Sequence, residues 1–411
     1  MTTDPKSSLP PKADSETLPA DIQQALAAGL GDFQLRELLG WLLTRVGEAE
    51  LRAYLQRTAH DKPNGFYDRS LQLGTIPLEV QVPRTRHGHF RPATLPPPYQ
   101  RGYPEETQAL LLGLLASARS INAAKDALQK MGLSGSQQEL DRVAIGLIEE
   151  LELRNNRPID PDLLAVFLDG KYIEFRDGDR LRPATIYVVL GLRRDGRKQV
   201  LTCLARPSRE NLEDWKLVLR GLIERGLRRL LLLVHDDFSG LLPITQSLFP
   251  GSDIQLCTVH LQRNAKTHLG KTDGAEFQQR WRALKASWNV EVAQHQFEQL
   301  CDRFAKDYPA FIAEVRKKRL HYLAFVAYPE CIRRSFSTTN AVEAVNGQLE
   351  ILRRNSGGYF QSEESLKLKL GLVVSGLEQQ RWRNPGRSSS ISTALPQLNT
   401  TFQARFEAAA A

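Results

Sequence analysis

Leu163-Leu164-Ala165-Val166-Phe167-Leu168-Asp169-Gly170 is an unbroken apolar run that stops at an acid and a glycine. A run so short and so apolar predicts a central strand buried on both faces, which delivers Asp169 to its C-terminal end. Downstream, Pro183 to Leu192 and Lys198 to Ala205 read as two further strands joined through Asp195-Gly196, a hairpin signal. Glu210 to Gly226 is an amphipathic helix, with Trp215, Leu219 and Leu222 on one side and Gly226 at its end. Leu230 to Val234 is another buried strand and ends at His235-Asp236-Asp237. A helix follows from about Gly240 to Phe249, and Asp253 to Val259 is a fifth strand that carries Cys257-Thr258-Val259-His260. This order predicts a mixed α/β sheet with helices on both faces.

Beyond the strands, about Leu261 to Glu330 is mainly helical and holds Trp281, Trp288, Phe297, Phe304, Phe311 and the basic run Arg316-Lys317-Lys318-Arg319. Trp215, Trp281 and Trp288 are expected in the core and not as base-stacking platforms. Ser337 to Glu350 then reads as a capped helix, in which a hydroxyl of Ser337, Thr338 or Thr339 can accept from the first turn. Ala341, Val342, Val345 and Leu349 form its buried side, while Asn340, Glu343 and Asn346 recur at helical spacing on another. Alone, Glu343 would be an ordinary solvated carboxylate. The tail holds one more helix, from about Ser362 to Trp382, a Ser- and Pro-containing segment and a short terminal helix.

Upstream, residues 1 to about 20 are polar, contain several prolines and are expected to be disordered. Asp21 to about Thr58 has helical spacing, with a break near Gly29 to Asp32. Lys62 to Gln100 is punctuated by Asn64-Gly65 and Gly74, and the alternation of Ile76, Leu78, Val80 and Val82 predicts a strand in an edge position or an isolated hairpin. After it come Arg84, Arg86, His87, His89 and Arg91 around Phe90, a cluster suited to a phosphate backbone and equally to a solvated loop. Pro104 to about Leu153 predicts three short helices, with Gly132 before the last, compatible with a helix-turn-helix module or a packed helical linker. The boundaries expected are a tail (1–20), a helical region with a small β element (21–100), a helix-turn-helix-like region (101–155), an α/β core (156–268 and 331–358), a helical segment between its two parts (269–330) and a C-terminal helical region (359–411).

The 411 residues exceed one ordinary core, and 41% hydrophobic content excludes wholesale disorder. A charge of +8 and a pI near 9.3 favour a polyanionic partner, nucleic acid first. The four cysteines, Cys203, Cys257, Cys301 and Cys331, lie far apart and suit a reduced intracellular chain. No apolar run approaches a membrane span and the N-terminus has no apolar signal core, so the expectation is a soluble protein of the cytoplasm, associated with the nucleoid.

Three acids stand out against this background. Asp169 closes the first strand, Asp236 the fourth, and Glu343 lies on a helix that can return across the same sheet edge. Three converging carboxylates suit hard divalent cations, and two such ions about 3.5 to 4 Å apart stabilise the attacking and leaving oxygens of phosphodiester chemistry.

Eight stretches in order carry a specific resemblance: EAELRAYL, NGFYDRSLQLGTIPLEVQVPRTRHGHFRP, FLDGKY, ENLEDW, the Asp236-x-x-x-Gly240 turn, QLCTVHLQRN, STTNAVEAVNGQL and YFQSEESL. Over about Leu35 to Phe406 the chain resembles bacterial insertion-sequence transposases of the Mutator-like group. The resemblance implies a ribonuclease H-like core with a helical insertion before the glutamate helix. It implies a DDE triad at Asp169, Asp236 and Glu343, holding two Mg²⁺ ions with Mn²⁺ as a substitute. It also implies DNA as partner, as terminal inverted repeats and target, a copied circular intermediate in many prokaryotic members, and a homodimer or higher homo-oligomer on paired ends. Phosphate or DNA contacts are expected at Arg84, Arg86, Arg263, Asn340, Asn346, Arg353 and Arg354.

Two positions depart from the family pattern. Asp237 stands where Gly usually follows the second aspartate, and the spacing to Gly240 favours Asp236 over it. Ser337 stands where many relatives carry Arg or another large residue, which puts a DNA contact there in doubt. Cys257-x-x-His260 offers half of a zinc site, to be completed by Cys301, Cys331, His295 or His321 only if the insertion folds back. The favoured reading is a pair that fixes the strand to the insertion or sits behind the site. His235 is expected to support the site and not to act as general base. The competing activities are a nuclease with the same core that does not join ends, and a DNA-binding protein descended from a transposase.

Overall fold

The computed structural model describes residues 35–58, 60–73, 76–97, 104–130, 137–287, 289–378, 382 and 389–407. The expectations for the first 20 residues, the break near Gly29 to Asp32, Gly132 and Trp288 lie outside them. The chain divides into two compact units, Met1–Leu110 and Leu111–Ala411.

In the first unit, helix α1 (Leu35–Arg57) lies on an antiparallel hairpin of β1 (Pro63–Leu73) and β2 (Ile76–Thr85). The alternating Leu78, Val80 and Val82 are buried, and Leu39 and Leu43 of α1 cover them. Gly40 permits the close approach, because a Cβ there would collide with the Glu79 carbonyl. Phe90 does not interleave with the arginines on the surface; it is buried against Tyr54.

The second unit is built on a five-stranded mixed sheet of β3 (Asp162–Asp177), β4 (Arg180–Arg193), β5 (Lys198–Arg206), β6 (Arg229–His235) and β7 (Asp253–Leu256), in the order β5-β4-β3-β6-β7. The pairs β5–β4 and β4–β3 are antiparallel, and β3–β6 and β6–β7 are parallel. Leu163, Val166 and Leu168 point to α5 (Leu212–Glu224) and α6 (Leu241–Leu248) on one face. Leu164, Ala165 and Phe167 point to the other, and the register shift between Leu163 and Ala165 accounts for two successive residues on one side. That other face is covered by α7 (Thr258–Lys285), α8 (Val290–Ala305), α12 (Asn340–Asn355), α13 (Glu363–Gly376) and α14 (Ser389–Phe406). Between α8 and α12 lie the short helices α9 (Pro309–Lys317), α10 (Arg319–Leu323) and α11 (Glu330–Phe336). Trp215 and Trp281 are wholly buried, as expected of core residues.

Three expectations are corrected. Asp169 does not end its strand: β4 continues to pair with β3 as far as Asp177, with Val188 opposite Asp169. What ends there is the parallel ladder to β6, whose last pair is Phe167 with Val234. The fifth strand stops at Leu256 and not Val259. Its ladder runs out at His235–Leu256, and Cys257 becomes the N-cap of α7, its carbonyl accepting from the Leu261 N–H. The terminal helix is not short: α14 runs 18 residues, because Ile391, Ala394, Leu398 and Phe402 form a stripe that docks on the core.

The predicted upstream helices are α2 (Pro104–Ser117), α3 (Ile121–Lys130) and α4 (Gln137–Asn156). Leu115, Leu128, Leu140 and Leu147 from these helices share a small core with Leu368 of α13. The adjacent Lys369 is buried, and its ammonium caps the end of α2 by donating to the carbonyls of Leu115, Ala116 (3.1 Å) and Ala118 (2.9 Å).

Candidate active site

Asp169 and Asp236 each lie two residues beyond the last pair of the β3–β6 ladder, so both project from the same edge of adjacent strands. Asp169 is 8% exposed, and its carboxyl is pushed up to about 7. Burial is the main cause. The neighbouring His260 opposes it, and the charges of Asp236 and Glu210 add to it. Asp236 is raised for the same leading reason, and its Oδ1 is buried with no hydrogen-bond partner. A buried, unpaired carboxylate oxygen beside a second carboxylate is an acceptor set that suits a hard divalent cation.

The helix α12 is seated over Asp169. Asn346 donates from Nδ2 to Asp169 Oδ2 at 2.5 Å, and Lys171, two residues along the strand, donates from Nζ to the Asn346 carbonyl at 3.0 Å and pairs with Glu350 at 3.4 Å. Val342, Val345 and Leu349 form the buried side, as their spacing predicts. Glu343 lies one turn before Asn346 and is exposed, as is Asn340. Among the described residues, no three His, Cys, Asp or Glu side chains stand together as ligands for a metal ion. The structure therefore brings Asp169 and Asp236 together, holds Asn346 on Asp169, and leaves Glu343 nearby on the solvent side of the same helix.

The entry to α12 differs from simple hydroxyl capping. Thr339 is at the N-cap but makes no side-chain cap bond. Its hydroxyl faces Cys257 Sγ at 3.6 Å, and the Asn340 N–H is accepted by the Thr338 hydroxyl at 3.3 Å. Ser337 is wholly buried, and its carbonyl accepts from the Thr258 N–H at 2.9 Å, so the residue faces into the protein. Cys257 thus joins the start of α7 to the turn before α12. Burial pushes its thiol up, but His260 outweighs that and holds it below the ordinary value, while His260 is raised to about 9, chiefly by Cys257. Cys301 is buried and Cys331 exposed; His295 meets Gln299, and His321 meets Gln246 and the Ile254 carbonyl.

The neighbours of Asp236 have other engagements. Asp237 accepts Lys318 Nζ on Oδ1 at 2.9 Å and on Oδ2 at 2.7 Å, and the Tyr322 hydroxyl at 3.0 Å, so its carboxylate is turned to α9 and α10. His235 is wholly buried between the Asp236 carbonyl (2.5 Å) and the Thr245 hydroxyl (3.2 Å), and burial lowers its pKa to about 4. It is neutral near pH 7 and already partnered on both nitrogens.

Of the candidate DNA contacts in this unit, Arg263 is exposed on α7. Arg353 is held by Glu350 at 2.7 Å and by the Gly358 carbonyl, while Arg354 stays mostly exposed with a longer contact to Glu350 at 3.3 Å. In the first unit, Arg84 donates to the Asn64 carbonyl at 3.0 Å, and both Arg84 and Arg86 are exposed. Glu210 did not stand out in the sequence, yet its carboxylate lies over Gly170 beside Asp169. Its signal was present in the stretch Glu210 to Trp215, where an acid precedes the helix that packs under the first strand.

A family model described as Transposase, Mutator family, matches residues 14–384. The chain belongs to the Mutator family of transposases. A probable transposase for the insertion sequence element ISRM3-like of Sinorhizobium fredii is 28% identical over 361 residues, covering 86% of this chain and 89% of the relative. The ISRM3 transposase of Rhizobium meliloti is 27% identical over the same shares. A transposase for IS256 in transposon Tn4001 of Staphylococcus aureus is 24% identical, covering 66% of this transposase and 72% of the relative. Among solved structures, the Drosophila P element transposase strand transfer complex matches at 16% identity over 73% of this chain and 81% of that one, with a TM-score of 0.28. No helix among the described residues is long and apolar enough to cross a membrane.

Proposed function

We propose that this transposase mobilises an insertion sequence through a ribonuclease H-like core in which Asp169, Asp236 and Glu343 are the acidic triad. It binds the terminal inverted repeats, nicks each end by in-line attack of water on a phosphodiester, and directs the freed 3′-hydroxyl onto a phosphodiester of another strand. The active form is a homodimer or higher oligomer on paired ends. The observation that carries the reading is the pair of carboxylates at the end of the parallel ladder, Asp169 buried and Asp236 half-buried with one oxygen enclosed and unpartnered. Mg²⁺ ions, or Mn²⁺ in their place, would supply water activation and charge stabilisation there.

The residues of the chain do the rest. Asp169 and Asp236 supply fixed acceptor oxygens, and Asn346 holds the near oxygen of Asp169 in place. Glu343 is exposed three residues earlier on the same helix, about 4.5 Å along its axis, within range of completing the set by a local re-seating of α12. Arg263 and Arg354 are exposed for phosphate contact on α7 and α12.

Strand joining on duplexes that carry the repeats flanking the gene, with Mg²⁺, tests this. Cleavage and joining are expected from the wild type and neither from Glu343→Gln or Asp169→Asn. Cleavage without joining would point to a nuclease, and full activity in Glu343→Gln would remove Glu343 from the triad.

A further inference from the structure

Glu210 sits in the loop between β5 and α5, on no strand that carries a proposed triad residue. Its carboxylate lies directly over Gly170, the residue after Asp169. A Cβ added at Gly170 would stand 2.6 Å from Oε1, 2.7 Å from Cδ and 3.0 Å from Oε2. The missing side chain at Gly170 is therefore the cradle that admits this acid to the edge where Asp169 and Asp236 project, and Glu210 interacts electrostatically with both and with His260.

The loop is pinned from several sides. Trp215 donates from Nε1 to Glu210 Oε1 at 2.8 Å, and its indole is wholly buried, edge-on to Tyr187 with centroids 4.9 Å apart. The Tyr187 hydroxyl accepts the Asn211 N–H at 3.2 Å, Asn211 caps α5 by accepting the Asp214 N–H at 2.9 Å, and Thr185 donates to the Ser208 carbonyl at 2.9 Å. Placing a half-buried acid against two others costs free energy unless a cation is shared among them. So much fixed structure devoted to that placement marks the acid as part of the site.

We propose that Glu210 is a further carboxylate of the metal site, aimed at the Asp169–Asp236 pair by Trp215 and by the gap at Gly170. The inference rests on the reading of that pair as metal-binding. Among the described residues no three carboxylates stand together as direct ligands, so Glu210 acts by lending negative charge to the site and an acceptor oxygen to the water of the ions, and its loss weakens metal binding before it weakens DNA binding.

The test is a Mn²⁺ titration of the full-length chain bound to a duplex of its terminal repeat, with free Mn²⁺ read by electron paramagnetic resonance, for wild type, E210Q, G170A, W215F, D169N and D236N. E210Q keeps the size of the side chain and an oxygen for Trp215, so end binding without metal is expected to persist. Its Mn²⁺ midpoint is expected to rise roughly tenfold or more. G170A pushes the carboxylate away without deleting it and should reproduce that rise; W215F should give a smaller one. If D169N and D236N lose Mn²⁺ while E210Q and G170A titrate like wild type, Glu210 is no part of the site. If D169N and D236N also titrate like wild type, the metal-binding reading of the pair falls, and the role of Glu210 with it.

Discussion

Asp169 destabilises the fold when no cation is present. Buried and facing Asp236 and Glu210, it keeps its proton up to about pH 7, whereas an unfolded chain releases it near the ordinary value of 3.8. By linkage, a raised acid costs no stability below pH 3.8, costs progressively more between there and about 7, and costs the full amount above. A rise of that size corresponds to about 4 kcal/mol as an upper bound. In metal-free buffer, Asp169→Asn is therefore expected to unfold at higher denaturant than the wild type at pH 8, and the advantage should shrink toward pH 5. Urea unfolding at the two pH values checks this; an equal or reversed difference would mean that Asp169 ionises freely in the folded chain.

At the scale of elements, the site is an arrangement of ends: two strands that run past their shared ladder, a loop before α5, and α12 laid over them. The lysine at the junction of α9 and α10 and Tyr322 of α10 both grip Asp237, so these two helices are tied to the turn that carries Asp236. Lys318 and Asp237 are each about three-quarters buried, which puts their coupling above that of a surface pair. A double-mutant cycle of Asp237→Asn and Lys318→Met should give a coupling of about 1 to 2 kcal/mol in urea unfolding. Additive effects would show that the insertion is held by its apolar core alone.

These same elements show what was readable beforehand. Strand identity and order were legible, because buried runs such as Leu163 to Leu168 and Leu230 to Val234 carry their own signal. Where each strand stops was not: β3 continues because β4 pairs with it, and β7 stops because β6, which pairs with it, ends. Asp169 and Asp236 were visible as acids at the ends of apolar runs. Glu210 was not, since its approach depends on Gly170, forty residues earlier, and the contact between the two exists only in the fold. The engagement of Asp237 by Lys318 and Tyr322 was likewise a contact across more than eighty residues.

Over the whole molecule, the net charge of +8 is spread unevenly in what it can offer a polyanion. The most conspicuous basic run, Arg316 to Arg319, is largely consumed within the protein. Arg316 pairs with Glu298 at 2.9 Å and Asp302 at 2.5 Å, Arg319 with Glu298 at 2.7 Å, and Lys318 with Asp237. By contrast Arg84, Arg86, His89 and Arg91 are exposed around the end of the β1–β2 hairpin, whose apolar face is buried under α1, and Arg84 is tied down by an exposed hydrogen bond to the Asn64 carbonyl. If they neutralise phosphates, each cation removed should lower the salt dependence of end binding by about 0.9. The slope of log affinity against log salt is thus expected to fall by about 2 in Arg84→Ala/Arg86→Ala, with little change in unfolding. Arg316→Ala/Arg319→Ala should do the opposite, keeping the slope and lowering stability, because it strands Glu298 without its partners. Fluorescence anisotropy on the terminal repeat across a salt series separates the two. A slope that falls with the insertion pair and not with the hairpin pair would move the DNA-binding surface to the insertion.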